Sequence, residues 1–311
     1  MADRALRPPF PWFGGKSRAA PLIWSRLGDV ANYVEPFAGS LAVLLGRPHA
    51  PRVETVNDID AYLANFWRAL QADPDAVAAH ADQPVNEADL HARHRWLVDQ
   101  VEFRERMHAD PHCHDAKIAG WWAWGLCAWI GSGWCAGASA SRQIPHLGSA
   151  GRGLHAQIPH LGDAGQGLHA GRGLHAWLAA LSQRLRYVRV ACGDWARVLT
   201  PCVTERLGTT GIVLDPPYDD DEHAITYGGG GGVAESVRKW CRANGENRRL
   251  RIALCGYDGT WEPPSGWSVE AWKAPGGYGS QGDGRGRANA RRERVWFSPG
   301  CLQGRGLFDR I

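Results

Sequence analysis

Asp215, Pro216, Pro217 and Tyr218 follow the aliphatic run Gly211, Ile212, Val213, Leu214. An apolar run that stops at an acid, two prolines and an aromatic predicts a buried strand whose C-terminal end is a rigid, non-helical turn. Two fixed prolines hold a carboxylate and a nearby main-chain carbonyl in one direction. Both can then accept hydrogen bonds from a planar NH2 group, while Tyr218 offers a flat face for stacking. The exocyclic amine of a nucleobase suits those contacts, and a base presents that amine to a pocket only when it is flipped out of the stack. Taken alone, the same four residues also read as a plain strand end followed by a proline turn.

The elements that must position such a turn lie upstream. FPWFGGKSRAAPLIWSRL (10–27) begins as a proline- and glycine-rich loop and becomes amphipathic from about Arg18. It is not a P-loop, because that pattern needs glycine where Phe10 stands. NYVEPFAGSLAVLLGR (32–47) reads as a strand at Tyr33 and Val34, the acid Glu35, a small-residue turn at Ala38, Gly39 and Ser40, and a helix start. VETVNDID (53–60) alternates apolar and polar residues and ends in Asp58 and Asp60, a second strand with acids at its tip, and 61–81 follows as a helical stretch. Glycine at 39 lets the backbone approach a ligand, and an acid at the second strand tip can accept both hydroxyls of a ribose. A dinucleotide would need GxGxxG at the first turn, where the chain has AGSLAV. S-adenosylmethionine has no pyrophosphate to cradle, so it is the favoured adenosine-containing cofactor.

After residue 186 strands and helices alternate again, with strands at 187–195, at the proline turn, at 249–256 and at 292–298, and helices at 177–186 and 233–245. The rhythm on both sides of an interruption predicts an α/β fold, a doubly wound, mostly parallel sheet with ligands at the C-terminal strand ends. The interruption, 85–186, holds a charged helix-like stretch, five tryptophans within 119–135 and a 14-residue unit, QIPHLGSAGRGLHA (143–156) and QIPHLGDAGQGLHA (157–170), with a third partial copy to 176. Two and a half copies are too few for a solenoid, so the repeat reads as an elaborated loop.

With 311 residues, 44% of them hydrophobic, the chain can bury a large core. No stretch is apolar enough to cross a bilayer and the N-terminus has no signal-peptide core, which predicts a soluble, cytoplasmic protein. Eight cysteines without CxxC pairs indicate reduced thiols rather than disulfides or a zinc ribbon. The repeat's histidines, His146, His155, His160, His169 and His175, match no common zinc spacing, so no metal is expected. A net charge of +3 does not by itself establish nucleic-acid binding, but Arg285, Arg287, Arg291, Arg292 and Arg294 cluster near the end.

WFGGK (12–16), EPFAGS (35–40), NDID (57–60), CGD (192–194) and DPPY (215–218), in that order, resemble the Dam-type, alpha-ordered family of DNA adenine N6-methyltransferases. The resemblance covers roughly 10–80 and 187–300. It implies a Rossmann-like methyltransferase sheet whose catalytic domain is built from 1–84 and 187–311, with 85–186 as an inserted, largely helical and loop-rich target-recognition region. It places Trp12, Gly14, Gly15 and Lys16 in the N-terminal cofactor motif, Glu35, Pro36, Phe37 and Gly39 in the methionine-side loop, Asp58 at the ribose and Asp194 at the cofactor adenine. Asp215, Pro216, Pro217 and Tyr218 become the catalytic motif. Leu41 stands where the family often has glycine.

The resemblance implies transfer of a methyl group from S-adenosylmethionine to the N6 amine of a flipped adenine in DNA, with double-stranded DNA as partner and a restriction endonuclease as a possible companion. Alternatives are N4 methylation of cytosine, methylation of a protein glutamine amide and a catalytically inactive DNA-binding relative. In the inserted region Gln143, Arg152, Gln157, Gln166 and Arg172 are the candidates for reading base edges or holding phosphates.

Overall fold

The computed structural model describes residues 6–10, 12, 15–129, 134–135, 173–218, 232–273 and 291–303. Among them the chain forms a mixed α/β structure with seven strands and ten helices. It divides into two compact units, one of 1–7, 13–57 and 194–311, the other of 8–12 and 58–193.

The first unit contains α1 (Ala20–Leu27), β1 (Asn32–Glu35), α2 (Ala42–Leu45) and β2 (Val53–Asp58, whose last residue falls in the second unit). The remaining strands of this unit are β4 (Thr210–Leu214), β5 (Leu250–Tyr257), β6 (Ser268–Ala271) and β7 (Glu293–Phe297), in the order β2-β1-β4-β5-β7-β6. β2, β1, β4 and β5 pair in parallel, while β7 runs antiparallel to both β5 and β6. Every residue of β1 and β4 is buried, the expected pattern for parallel strands covered on both faces. Asn32 ties their entry ends together, its Nδ2 donating to Thr210 Oγ1 at 3.0 Å and to the Val203 carbonyl at 2.8 Å.

The chain leaves β1 for β2 on one side and later returns to β4 on the other. A switch point therefore opens between the C-terminal ends of β1 and β4, the place where open α/β sheets bind ligands. Glu35 closes one of these strands and Asp215 follows the other. The loop after β1 is pinned to the end of β2, with Ala38 N–H donating to the Asn57 carbonyl at 2.9 Å and Asn57 Nδ2 to the Pro36 carbonyl at 3.0 Å. Gly39 has φ of 47° and Leu41 φ of 58°, both left-handed. For a leucine that conformation costs about 1–2 kcal/mol. Leu41 is fully buried, and burying a leucine contributes about 1.5–3 kcal/mol, enough to hold the loop shape without glycine.

The second unit holds α3 (Ala61–Ala72), α4 (Pro74–Ala81), α5 (Glu87–Val98), α6 (Val101–Ala109), α7 (Ala116–Ala128), α8 (Leu174–Leu185) and β3 (Arg189–Cys192). The single helix expected over 61–81 is two. Pro74 has no N–H for a continuing helix and pushes Asp73 to φ −150°, and the Asp73 side chain then caps α4 by accepting from Ala76 N–H at 2.9 Å. Most of the tryptophan-rich segment lies in α7. Trp122 packs against Phe10 at 5.2 Å and Phe66 at 6.2 Å, and α7 approaches α4 so closely that a Cβ on Gly120 would meet the Val77 carbonyl oxygen at 2.7 Å. The other short elements of the first unit are a 3-10 turn (Trp195–Val198), α9 (Pro201–Thr204) and α10 (Val233–Asn244).

Candidate active site

β4 stops where Pro216 and Pro217 can no longer donate to a ladder. Asp215, at the first position past the strand, has its Oδ2 2.8 Å from Lys16 Nζ, with the Lys16 side chain 5% exposed and that of Asp215 23%. Lys16 precedes α1 and its ammonium also lies over the rings of Tyr218, at 5.4 Å, and Trp272, at 5.6 Å. Burial pulls the Lys16 ammonium down, but the carboxylates of Asp215 and Glu293, with Asp215 the stronger, outweigh it and hold the group charged well above its ordinary range.

The Tyr218 hydroxyl is 3.1 Å from Asp215 Oδ1 and 3.1 Å from Glu293 Oε2, and its ring meets Tyr257 edge-on at 4.4 Å. Burial, then the neighbouring carboxylates of Asp215 and Glu293, push the Tyr218 phenol well above its ordinary value, so it stays a neutral hydroxyl. Glu293 is buried at the start of β7, and burial raises its carboxyl above the usual carboxylate range against the pull of Lys16. Trp272 is buried beyond β6, and its indole N–H has no hydrogen-bond partner among the described residues.

Glu35 accepts from the Tyr33 hydroxyl at 2.9 Å and from the main chain of Leu44 in the first turn of α2, where it acts as a capping acceptor. Burial is the largest influence on it and Asp215 adds like-charge repulsion, so its carboxyl is pushed up to about 8 despite those two donors. A folded-state value above the ordinary 4.5 means stability that is fully present below about 4.5 and lost as pH rises through about 8. Glu35→Gln is therefore expected to flatten the fall in stability between about pH 5 and pH 8. Urea denaturation across that window checks it, and an unchanged slope would show that Glu35 ionises normally in the folded protein.

Phe37 and Trp195 stack at 6.1 Å with their planes 25° apart, a half-buried aromatic pair that joins the loop after β1 to the 3-10 turn. Asp194 is exposed and its Oδ1 caps that turn by accepting from Ala196 N–H at 2.9 Å. In the second unit Asp58 is buried, with Oδ1 accepting from Asp60 N–H at 3.0 Å and its carbonyl accepting from Gly193 N–H at 3.0 Å. Asp60 caps α3 through Tyr62 N–H at 2.8 Å. Trp12 sits 6.1 Å from Phe10 and 6.1 Å from Trp122.

Of the residues singled out in the sequence, the first unit brings together Lys16, Asp215 and Tyr218, with Glu35 within electrostatic reach of Asp215. Gly15 is half-buried beside Lys16, Pro216 is buried and Pro217 half-buried, and Pro36, Phe37 and Gly39 form the loop after β1. Trp12 and Asp58 belong to the second unit. Gly14, Gln143, Arg152, Gln157, Gln166 and Arg172 lie outside the described residues. Sequence reasoning missed Glu293, Trp272, Tyr33 and Trp195. Glu293 had a signal, since in ERVWF it shares the alternating inward face of Val295 and Phe297, where an acid is out of place unless it has work to do.

Residues 12–109 match the family model of D12 class N6 adenine-specific DNA methyltransferases. The match spans Lys16, Glu35 and Asp58 and ends before the turn at Asp215. No curated protein matches the chain. Enzymes of the D12 class carry out S-adenosylmethionine-dependent methylation of the N6 amine of adenine in DNA, and the match supports that activity.

Proposed function

We propose that the strand ends of β1 and β4 form the methyl-transfer site of this DNA adenine methyltransferase, with Asp215 and the Pro216 carbonyl accepting from the N6 amine of a flipped adenine and Tyr218 stacking on its ring. The observation that carries this reading is the Lys16–Asp215 pair at 2.8 Å beside the switch point. It aims a charged acceptor at the one place in the sheet built to receive a ligand.

S-adenosylmethionine, when bound, supplies an electrophilic methyl group on a sulfonium. The residues present fit it. Lys16 is already paired with Asp215, and Glu35, whose carboxyl burial pushes up to about 8, can ionise when a cofactor carrying both a sulfonium and an ammonium arrives. Trp272 adds an indole donor with no partner among the described residues. Gly39 leaves room for close backbone approach, Phe37 with Trp195 offers flat faces to an adenine ring, and Asp194 stands beside that pair. Asp58, at the tip of β2, is the proposed acceptor for the ribose hydroxyls, the acid to which the family resemblance gives that role. The amine lone pair is aimed directly, so the chain needs no nucleophile of its own, and its contribution to the rate is alignment and exclusion of water. We assign target recognition to 85–186, with the repeat at 143–176 inside it, and cytoplasmic action on double-stranded DNA, where a restriction endonuclease could be a companion.

The cofactor half is tested by Asp58→Ala. Losing a charged acceptor for ribose hydroxyls costs about 1.5–3 kcal/mol, which is roughly a 10- to 150-fold rise in the Kd for S-adenosylmethionine. Calorimetry on the folded variant checks this. An unchanged affinity would move the ribose site away from the tip of β2.

A further inference from the structure

A hydroxyl has one proton to donate, yet the Tyr218 hydroxyl lies 3.1 Å from a carboxylate oxygen on each side, Asp215 Oδ1 and Glu293 Oε2. If both acids were ionised, one of these two contacts would be an oxygen facing an oxygen anion without a proton between them. One of the acids therefore carries a proton. Asp215 holds the direct ion pair with Lys16 at 2.8 Å, which keeps it the anion. Among the described residues Glu293 has no such direct cation contact, and it is only 4% exposed at the head of β7.

We infer that Glu293 is a positioning residue for methyl transfer, a neutral acid that donates to the Tyr218 hydroxyl so that Tyr218 in turn donates to Asp215. The direction in which burial shifts the Glu293 carboxyl agrees. The groups that face it are Lys16, Asp215 and Tyr218, with Cys255 and Tyr257 on β5 and Arg294 beside it on β7. The result is one hydrogen-bonded line, Glu293 to Tyr218 to Asp215, closed at its far end by Lys16. It has two consequences. Each Asp215 oxygen takes one donor from the protein, and a carboxylate with about four acceptor sites still has room for the amine of a target base. The Tyr218 ring is fixed at its hydroxyl end, so its face is set before a base arrives, which is how a stacking residue contributes without reorganising.

This inference rests on the assignment of the Asp215–Tyr218 turn to the methyl-transfer site. Its test compares Glu293→Gln with Glu293→Asp in the full-length chain, following single-turnover methylation and S-adenosylmethionine affinity. Glutamine keeps the length and a donor for Tyr218 but cannot ionise. Aspartate keeps the acid but is a methylene short of Tyr218. Glu293→Gln is expected to stay within about threefold of the parent rate, and Glu293→Asp to fall ~10- to 100-fold with cofactor affinity retained, the scale of a lost positioning contact. In a Tyr218→Phe background the two substitutions should differ little, because the hydroxyl that Glu293 holds is gone. If aspartate preserves the rate and glutamine destroys it, Glu293 acts through its charge and the inference is overturned. Equal effects with and without the Tyr218 hydroxyl would overturn it too, by marking a purely structural role. Failure of the underlying site assignment looks different, since Asp215→Ala would then leave methylation intact.

Discussion

Asp215→Ala is expected to lower the methylation rate by ~10^3-fold or more, the scale on which losing a preorganised charged group at the reacting centre slows an enzyme. S-adenosylmethionine affinity should stay within a few-fold. The proposed partner of the carboxylate is the amine of the target base, and once Asp215 is gone Glu293 and Glu35 can ionise to answer the charges of Lys16 and the cofactor. The fold should survive for the same reason. Removing one partner of a fully buried pair costs about 3–5 kcal/mol, but the Asp215 side chain is 23% exposed and Glu293 can ionise in its place. Asp215→Asn should fall between the two, keeping one acceptor oxygen and losing the charge that attracts the developing cation on nitrogen. Rates from tritiated S-adenosylmethionine, set beside calorimetric affinities, separate the two halves of the site. A variant within about tenfold of the parent, a barrier change of only ~1.4 kcal/mol, would remove Asp215 from the chemistry.

Much of this site could be read from local sequence because local sequence determines it. The aliphatic run before Asp215 and the two prolines after it specify a buried strand and its abrupt end without reference to anything distant. The same holds for β1 and its small-residue turn. What could not be read depends on partners far along the chain. Leu41 occupies a left-handed position that local preference gives to glycine, and only its burial in the finished core makes that tolerable. β6, with its half-exposed SVEA, carries too little apolar signal to stand out, and it exists through pairing with β7. Pro74 broke the expected helix through Asp73, a break that an apolar period running across it concealed. Glu293 lies 75 positions from the tyrosine it contacts, and no spacing rule joins them. The acids at the tip of β2 were legible as a pair, but the cap that Asp60 gives α3 shows only in the structure.

Lys16→Met is the substitution expected to cost the fold most, since it keeps the bulk of the side chain and removes the only cation that Asp215 contacts directly among the described residues. An acid left without its counter-charge destabilises by at most about 3–5 kcal/mol, the value for a fully buried pair, and at ~2 °C per kcal/mol for a chain of this size the melting temperature should drop by up to ~6–10 °C. The sign of its pH dependence follows from who titrates. Lys16 ionises above its ordinary range, so in the parent its charge is present throughout the neutral and acid range. In the variant the Glu293 carboxyl loses that cation, and its folded-state value rises further above the unfolded one. Groups with raised values are no burden below the ordinary carboxylate range and destabilise progressively as pH climbs through the shifted values. The gap between parent and variant should therefore be small near pH 4 and widest near pH 8. Methylation should fall with it even at temperatures where the variant is folded, because Asp215 is no longer held toward the target amine. Thermal melts at the two ends of that pH window decide the matter. A variant as stable as the parent near pH 8 would mean that Asp215 does not depend on Lys16, and the paired, directed carboxylate on which the proposed site is built would be lost.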